Sequence, residues 1–329
     1  MVSTIVYNVT KPRIMILHSY QPDYAWTRDI NIGLHRVMDN WNNCTIFWHY
    51  MDTKNHPDQK WLDRAGILAR RSVEKNDPDV LIAIDDLAQE LAGKYFINHQ
   101  QMNIVFAGVN ASVEPYGYLN AHNVTGIYER KVLRAVKEMI MALNQDSKAK
   151  ILTPKLFYIM DPSASLQTER SYIDHYDWDP IQYRGSIIAE NFTQWRQIVR
   201  ENPTKADYLL VANYRKLPKS RQDPRLSNPH EVMTWTEKYS PIPVIGINSF
   251  NVEDGAMLSI GASPYEQGEV AAQLTQKILR NHRKASDFPI VDNQQYIVAL
   301  KKSLLDQRQL HLPSIYEAFG RATGHYHTD

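Results

Sequence analysis

Short polar clusters recur directly after apolar runs in this sequence: His18-Ser19-Tyr20, Asp85-Asp86, Gly108-Val109-Asn110, Asp161-Pro162-Ser163, Asn213-Tyr214 and Asn248-Ser249-Phe250. Their side chains donate and accept hydrogen bonds or present aromatic faces. That equipment suits holding a small polar molecule between surfaces. Each cluster taken alone also reads as turn and helix-cap residues, and it is the recurrence along both halves that points to a binding cleft. Asp85-Asp86 is the sharpest acidic feature. Two adjacent carboxylates after a strand can face a ligand amine, or one can cap the helix expected from Leu87. Tyr20, Tyr24 and Trp26 stand in or beside the first of these loops, as lining of a cleft or as ordinary packing.

The chemistry these residues do not spell is equally informative. The sequence holds no G-x-S-x-G, no G-x-x-x-x-G-K-[ST] and no H-E-x-x-H, so the common nucleophile, phosphate-loop and zinc signatures are missing. HSYQPDYAW stands where a G-x-G-x-x-G would follow the first strand of a dinucleotide-binding domain. The 12 histidines are scattered without ligand spacing, and the single cysteine, Cys44, excludes an internal disulfide framework and cysteine-rich zinc. No cofactor and no metal are expected. Lys+Arg number 37 against 36 Asp+Glu, a net charge of +1, which argues against a partner recognised through a basic field, nucleic acid above all. No apolar run approaches the ~18–20 residues that span a bilayer. The first ten residues, MVSTIVYNVT, lack the basic and apolar regions of a signal peptide, so the chain reads as soluble, and equally as a mature or trimmed form of something exported.

The elements that must position these clusters can be read from hydrophobic pattern. At 329 residues, and roughly 100–200 per domain, about two domains are expected. Buried strands are expected at Arg13–His18, Thr45–Tyr50, 79–84 and 103–107, with helices over 26–39, 60–74 and 87–95 between them. Strands apolar on both faces, alternating with amphipathic stretches, predict a parallel sheet covered by helices. After residues 123–126 the pattern begins again. An amphipathic stretch spans 128–143, strands fall at Lys155–Met160, 186–189, 207–212 and 244–247, and helices at 166–176, 194–201 and Pro229–Tyr239. A helix over 267–280, late strands at 290–291 and 296–300, a closing segment over 304–319 and a frayed GHYHTD tail complete the reading. Two α/β units result, and no single large sheet.

In order, ILHSY with Trp26 and Gly33, DPDVLIAIDDLA, IVFAGVN, NVTGI, YIMDPSAS, ADYLLVANY, IPVIGINSF and DGAMLSIGASPYEQGEVAAQLTQKIL resemble the substrate-binding proteins of ABC transporters with type 1 periplasmic-binding-protein architecture. The branch concerned includes binders of aromatic amino acids, and its HSY…W form also looks like the extracellular sensor modules fused to histidine kinases. The resemblance runs from Arg13 to Phe319. It implies two Rossmann-like lobes with parallel sheets joined by a three-segment hinge. The first lobe would be 11–124 plus 262–285 and the second 125–261 plus 286–320, with ligand enclosed between them by hinge closure. Carried over residue by residue, it implies ligand contacts at Ser19, Tyr20, Asp86 and Asn110 with Trp26 at the rim, and at Asp161, Ser163, Ser165, Asn213 and Asn248.

The resemblance and the missing catalytic signatures together lead one to expect a non-enzymatic receptor, periplasmic or extracellular and monomeric. It would capture an amino-acid-like ligand, aromatic ones included. Its partners would be that ligand and an ABC permease. A sensory module signalling to a membrane kinase is the second reading, and an α/β enzyme on a small polar substrate the third. A sugar would use the same Asn, Asp and aromatic side chains as an amino acid.

Overall fold

The structure, a computed structural model, describes residues 11–146, 151–163, 166–201 and 206–328. The chain forms two compact units. The first runs to Arg130 and takes in Ser263–Asn293; the second comprises Lys131–Ala262 and the chain from Gln294 onward.

In the first unit, β1 (Arg13–His18), α1 (Ala25–Met38), β2 (Thr45–Tyr50), α2 (Gln59–Asn76), β3 (Val80–Ile84), α3 (Asp86–Leu91), β4 (Asn103–Val109) and β5 (Val124–Tyr128) succeed one another in chain order. The sheet reads β2-β1-β3-β4-β5-β11, where β11 is the short strand Val291–Asp292. Every pairing in it is parallel. Side chains alternate across a strand, and β1 shows the result. Ile14 and Ile16 join one core with Ile30 and Leu34 of α1, while Met15 and Leu17 join the other with Ala69 and Val73 of α2. Both faces at the inner strands are therefore covered, which is why β1, β3 and β4 are apolar almost throughout, whereas the edge strand β2 is only partly buried.

The second unit repeats the plan with α4 (Leu133–Asp146), β6 (Lys155–Met160), α5 (Leu166–Asp174), β7 (Gln182–Ile188), α6 (Phe192–Glu201), β8 (Tyr208–Val211), α7 (Pro229–Tyr239), β9 (Val244–Gly246), α8 (Phe250–Glu253) and β10 (Leu258–Ala262). The chain returns to the first unit as α9 (Pro264–Asn281), then comes back as β12 (Tyr296–Lys301), α10 (Lys302–Gln307), α11 (Ser314–Ala322) and β13 (Tyr326–His327). Sheet order is β7-β6-β8-β9-β10-β12-β13. β12 runs antiparallel to β10, and β13 parallel to β12.

Four expectations change. Residues 123–126, read as a crossing between lobes, lead into and form part of β5, which pairs with β4 inside the first unit. The late pair 290–291 belongs to that unit as well, because β11 adds to the far side of β5. The helix expected over 87–95 breaks at Ala92 into α3 and a 3₁₀ turn, Gly93–Phe96. The GHYHTD tail is not wholly frayed: Tyr326–His327 closes the edge of the second sheet. Among the described residues, no helix is long and apolar enough to cross a membrane.

Candidate functional site

Both sheets place their first strand between the second and third, in the order 2-1-3-4-5. The connections leave in opposite directions there, and such a switch point, at the carboxyl ends of the first and third strands, is where ligands of open α/β sheets bind. In the first unit that point lies between β1 and β3. Ser19-Tyr20 and Asp85-Asp86 are the residues that emerge from it. In the second it lies between β6 and β8, where Asp161 and Asn213 emerge. These sequence candidates thus stand at a switch point for a topological reason.

At the first switch point the backbone is tied tightly. The Ser19 hydroxyl donates to the Ile84 carbonyl at 2.8 Å and accepts from the Ala88 amide at 2.8 Å. Ser19 therefore supplies the side-chain cap of α3 that sequence reading assigned to one of the aspartates. Asp85 cannot do so. Its backbone sits at φ 68°, ψ 164° and makes no side-chain cap bond; the carboxyl instead accepts from the Trp26 indole Nε1 at 2.8 Å through Oδ1. Gly108, opposite, also has a positive φ of 68°, and a Cβ there would lie 2.9 Å from that same Oδ1. A glycine is required at 108 on both counts.

Asp86 is spent on the chain itself. Its two oxygens accept from the Asn110 amide (3.2 Å), the Ala111 amide (3.1 Å) and the Tyr116 hydroxyl (3.2 Å). They brace the loop after β4. Asn110 is exposed, and its side-chain amide donates to Glu129 at 2.8 Å. Burial holds the Asp86 carboxyl above its ordinary range, against those hydrogen bonds. It pushes Asp85 well above, with Glu129 adding in the same direction. The Tyr20 hydroxyl is likewise raised, by burial and then by Asp85. Tyr20 and Tyr24 meet edge to face at 5.4 Å, and the Lys54 ammonium lies 4.5 Å from the Tyr20 ring centroid.

The second switch point is also hydrogen-bonded internally. Asp161, fully buried, accepts from the Ser163 amide and hydroxyl through Oδ1 and from the Lys216 amide at 3.1 Å through Oδ2. Asn213 accepts from the Arg215 amide at 3.0 Å, an Asx turn. Asn248 donates to the Ala212 carbonyl at 2.9 Å and accepts from the Lys131 ammonium at 2.5 Å. Ser165 lies outside the described residues. Lys131 was not among the sequence candidates, yet its side chain is only 9% exposed and pairs with Glu169 at 3.4 Å. Lys131 thus places a largely buried cation on Asn248, at the exit of β9 and next to the switch-point strand β8, and the charged run Glu129-Arg130-Lys131 right after a strand was its signal. Asp85 was weighed in sequence only as half of a pair. The structure separates the two aspartates, one tied to the β4 loop and one facing Trp26. A concavity of about 550 Å³ in the second unit lies elsewhere, beside Glu237, Lys301 and Arg308 at the opposite ends of the strands. It is not at a switch point, and Arg308 is bound there to Glu237.

No family model matches the sequence, and no curated protein does. Solved structures do match along nearly the whole chain. A conserved domain protein from Vibrio cholerae shares 15% identity over 94% of this chain and 98% of its own, with a TM-score of 0.61. The ligand-free, open form of a substrate-binding protein with adhesive properties from Clostridium difficile shares 15% over 92% and 96%, TM-score 0.69. An ABC domain in complex with L-Trp from Streptococcus pneumoniae shares 13% over 93% and 98%, TM-score 0.61. The chain thus has the two-sheet α/β fold of type 1 periplasmic binding proteins, as its sequence motifs led one to expect.

Proposed function

We propose that this protein is a solute-binding receptor of an ABC transporter, working in the periplasm or at the outer cell surface. It takes an amino-acid-like ligand at strand-exit loops of the kind that each unit presents at its switch point. The observation that carries this reading is the doubled topology: both units present polar and aromatic side chains at the one place in each sheet where small ligands bind. The fold likeness to a substrate-binding protein and to a domain holding L-Trp supports it. A non-catalytic role fits the hydrogen bonding. Asp86 and Asp161, the carboxylates that acid–base chemistry would call on, are engaged with backbone amides.

The test is a thermal-shift panel, since a ligand that binds the native state raises its melting temperature. L-Tryptophan, L-leucine, tryptamine, indole-3-propionate, L-arabinose and D-galactose sample amines, acids and neutral sugars. A shift of several degrees with at least one of them, and recovery of that compound unchanged after long incubation, is the expected result. No shift with any compound, or its conversion to a product beyond one equivalent, would remove the receptor reading.

A further inference from the structure

At the first switch point one carboxyl is left over. Asp85 is 3% exposed, and its Oδ2 has no hydrogen-bond partner among the described residues. A buried carboxylate oxygen without a partner is costly, so something must stand against it or it must carry a proton. The surrounding chain fixes the carboxyl in place without giving that oxygen a partner. Trp26 fixes the carboxyl through the other oxygen. Gly108 has no side chain to press on that Trp26-bound oxygen, which a Cβ would approach to 2.9 Å. The residue itself is held at a positive φ that aspartate seldom adopts, anchored by its amide on the Ala107 carbonyl at 2.8 Å. Backbone strain of this kind clusters at ligand sites.

We propose that Asp85 is the acceptor for a positively charged group of the ligand, a protonated amine, and that binding drives a proton off its carboxyl. This rests on the receptor reading and names the ligand class within it. Most of the charge facing Asp85 is negative. Glu129, just past β5, and Asp86 of α3 add negative potential, and Tyr20 after β1 is an uncharged hydroxyl at neutral pH; Lys54, just past β2, is the cation that opposes them. Its ammonium rests over the rings of Tyr20 and Tyr24. Burial and two neighbouring carboxylates favour the neutral acid, whereas an arriving ammonium favours the carboxylate. The Asp85 O–H bond breaks, its proton leaves to solvent, and an N–H···O bond from the ligand ammonium takes its place.

Calorimetry on the intact chain tests this in buffers of different ionisation enthalpy, with L-tryptophan, tryptamine and indole-3-propionate. Binding of the two amines with net proton release, an affinity that rises with pH, and a loss of roughly 10–150-fold in Asp85→Asn is the expected outcome. Binding of indole-3-propionate or a sugar with both amines silent overturns the assignment and leaves the receptor reading standing. So does amine binding that Asp85→Asn does not weaken. Should Asp85→Asn fail to fold, the wild-type measurement decides alone, because amine binding without proton release also overturns it. If no compound binds, the receptor reading falls and this assignment with it.

Discussion

His18 ends β1 fully buried, with the Asn31 side chain beside its ring. Its ring stacks on Tyr50 at 5.1 Å, and Trp48 lies beyond at 6.1 Å. Burial pulls its pKa from 6.5 down to about 3. The unfolded chain therefore binds a proton between pH 6.5 and 3 that the native state refuses. Stability from this group is full above pH 6.5 and is lost as pH falls, at about 1.4 kcal/mol per pH unit. Asp85 has the opposite sign. Its native pKa is raised above 3.8, so its contribution is full below that value and is lost as pH rises toward the native pKa. His18→Phe keeps the ring stack and should flatten the acid side of a melting-temperature profile. Asp85→Asn should melt higher than the wild type at neutral pH, by a margin that grows as pH rises. Parallel profiles for either variant and the wild type would refute the corresponding argument. Sequence alone placed both residues at a strand exit, since apolar runs ending in polar residues are local patterns. It had no means of telling Asp85 from Asp86, because their roles differ only through a backbone torsion and the positions of Trp26 and Asn110.

Among elements, the contact of α1 with α9 depends most on particular residues. A Cβ on Gly33 would stand 2.1 Å from the Tyr265 carbonyl oxygen, and one on Gly268 2.1 Å from that of Ile30. The two helices meet backbone to backbone there, with Arg36 paired to Glu269 at 2.7 Å and lying over the Tyr265 ring at their flank. Gly268→Ala would have to part them, because backbone cannot move aside as a flexible side chain can. Destabilisation of about 1–3 kcal/mol, as for an overpacked core, is expected, read as a lowered midpoint in urea; an unchanged midpoint would show that the helices can slide. The long elements here were legible because each carries a run or period of apolar residues that burial demands. The two-residue strand β13 was not, and β11, expected at 290–291, was legible as a strand but not as a partner of β5. Tyr326–His327 has no such pattern, and only a neighbouring edge makes it a strand.

For the whole molecule the question is how a ligand at the loops is felt elsewhere. The chain passes between its units three times, after Arg130, Ala262 and Asn293. Repetition of one sheet plan in each half was visible in the sequence, and so was the crossing near 261–262; the first and third crossings fall later than expected, since β5 and β11 extend the first sheet past where its apolar pattern fades. Arg130 links two of the crossings to the candidate site. Its amide donates to the Asn293 side chain at 2.5 Å, and its guanidinium donates to the carbonyls of Val109 and Asn110 at 3.2 and 2.9 Å. The guanidinium also stacks 3.8 Å from the Tyr128 ring centroid. The β4 exit loop and two of the connecting strands are thereby one braced piece on the first unit. A ligand that engages loops of both units binds one arrangement of them better than others, and can shift their population only by that difference. Small-angle scattering should then show a smaller radius of gyration when the compound found by the thermal-shift panel is added to saturation. In Arg130→Ala the brace is gone, so the same compound should bind more weakly and more of it should be needed for the same contraction. A radius that stays constant in the wild type at saturation would refute a ligand-driven change in the arrangement of the units.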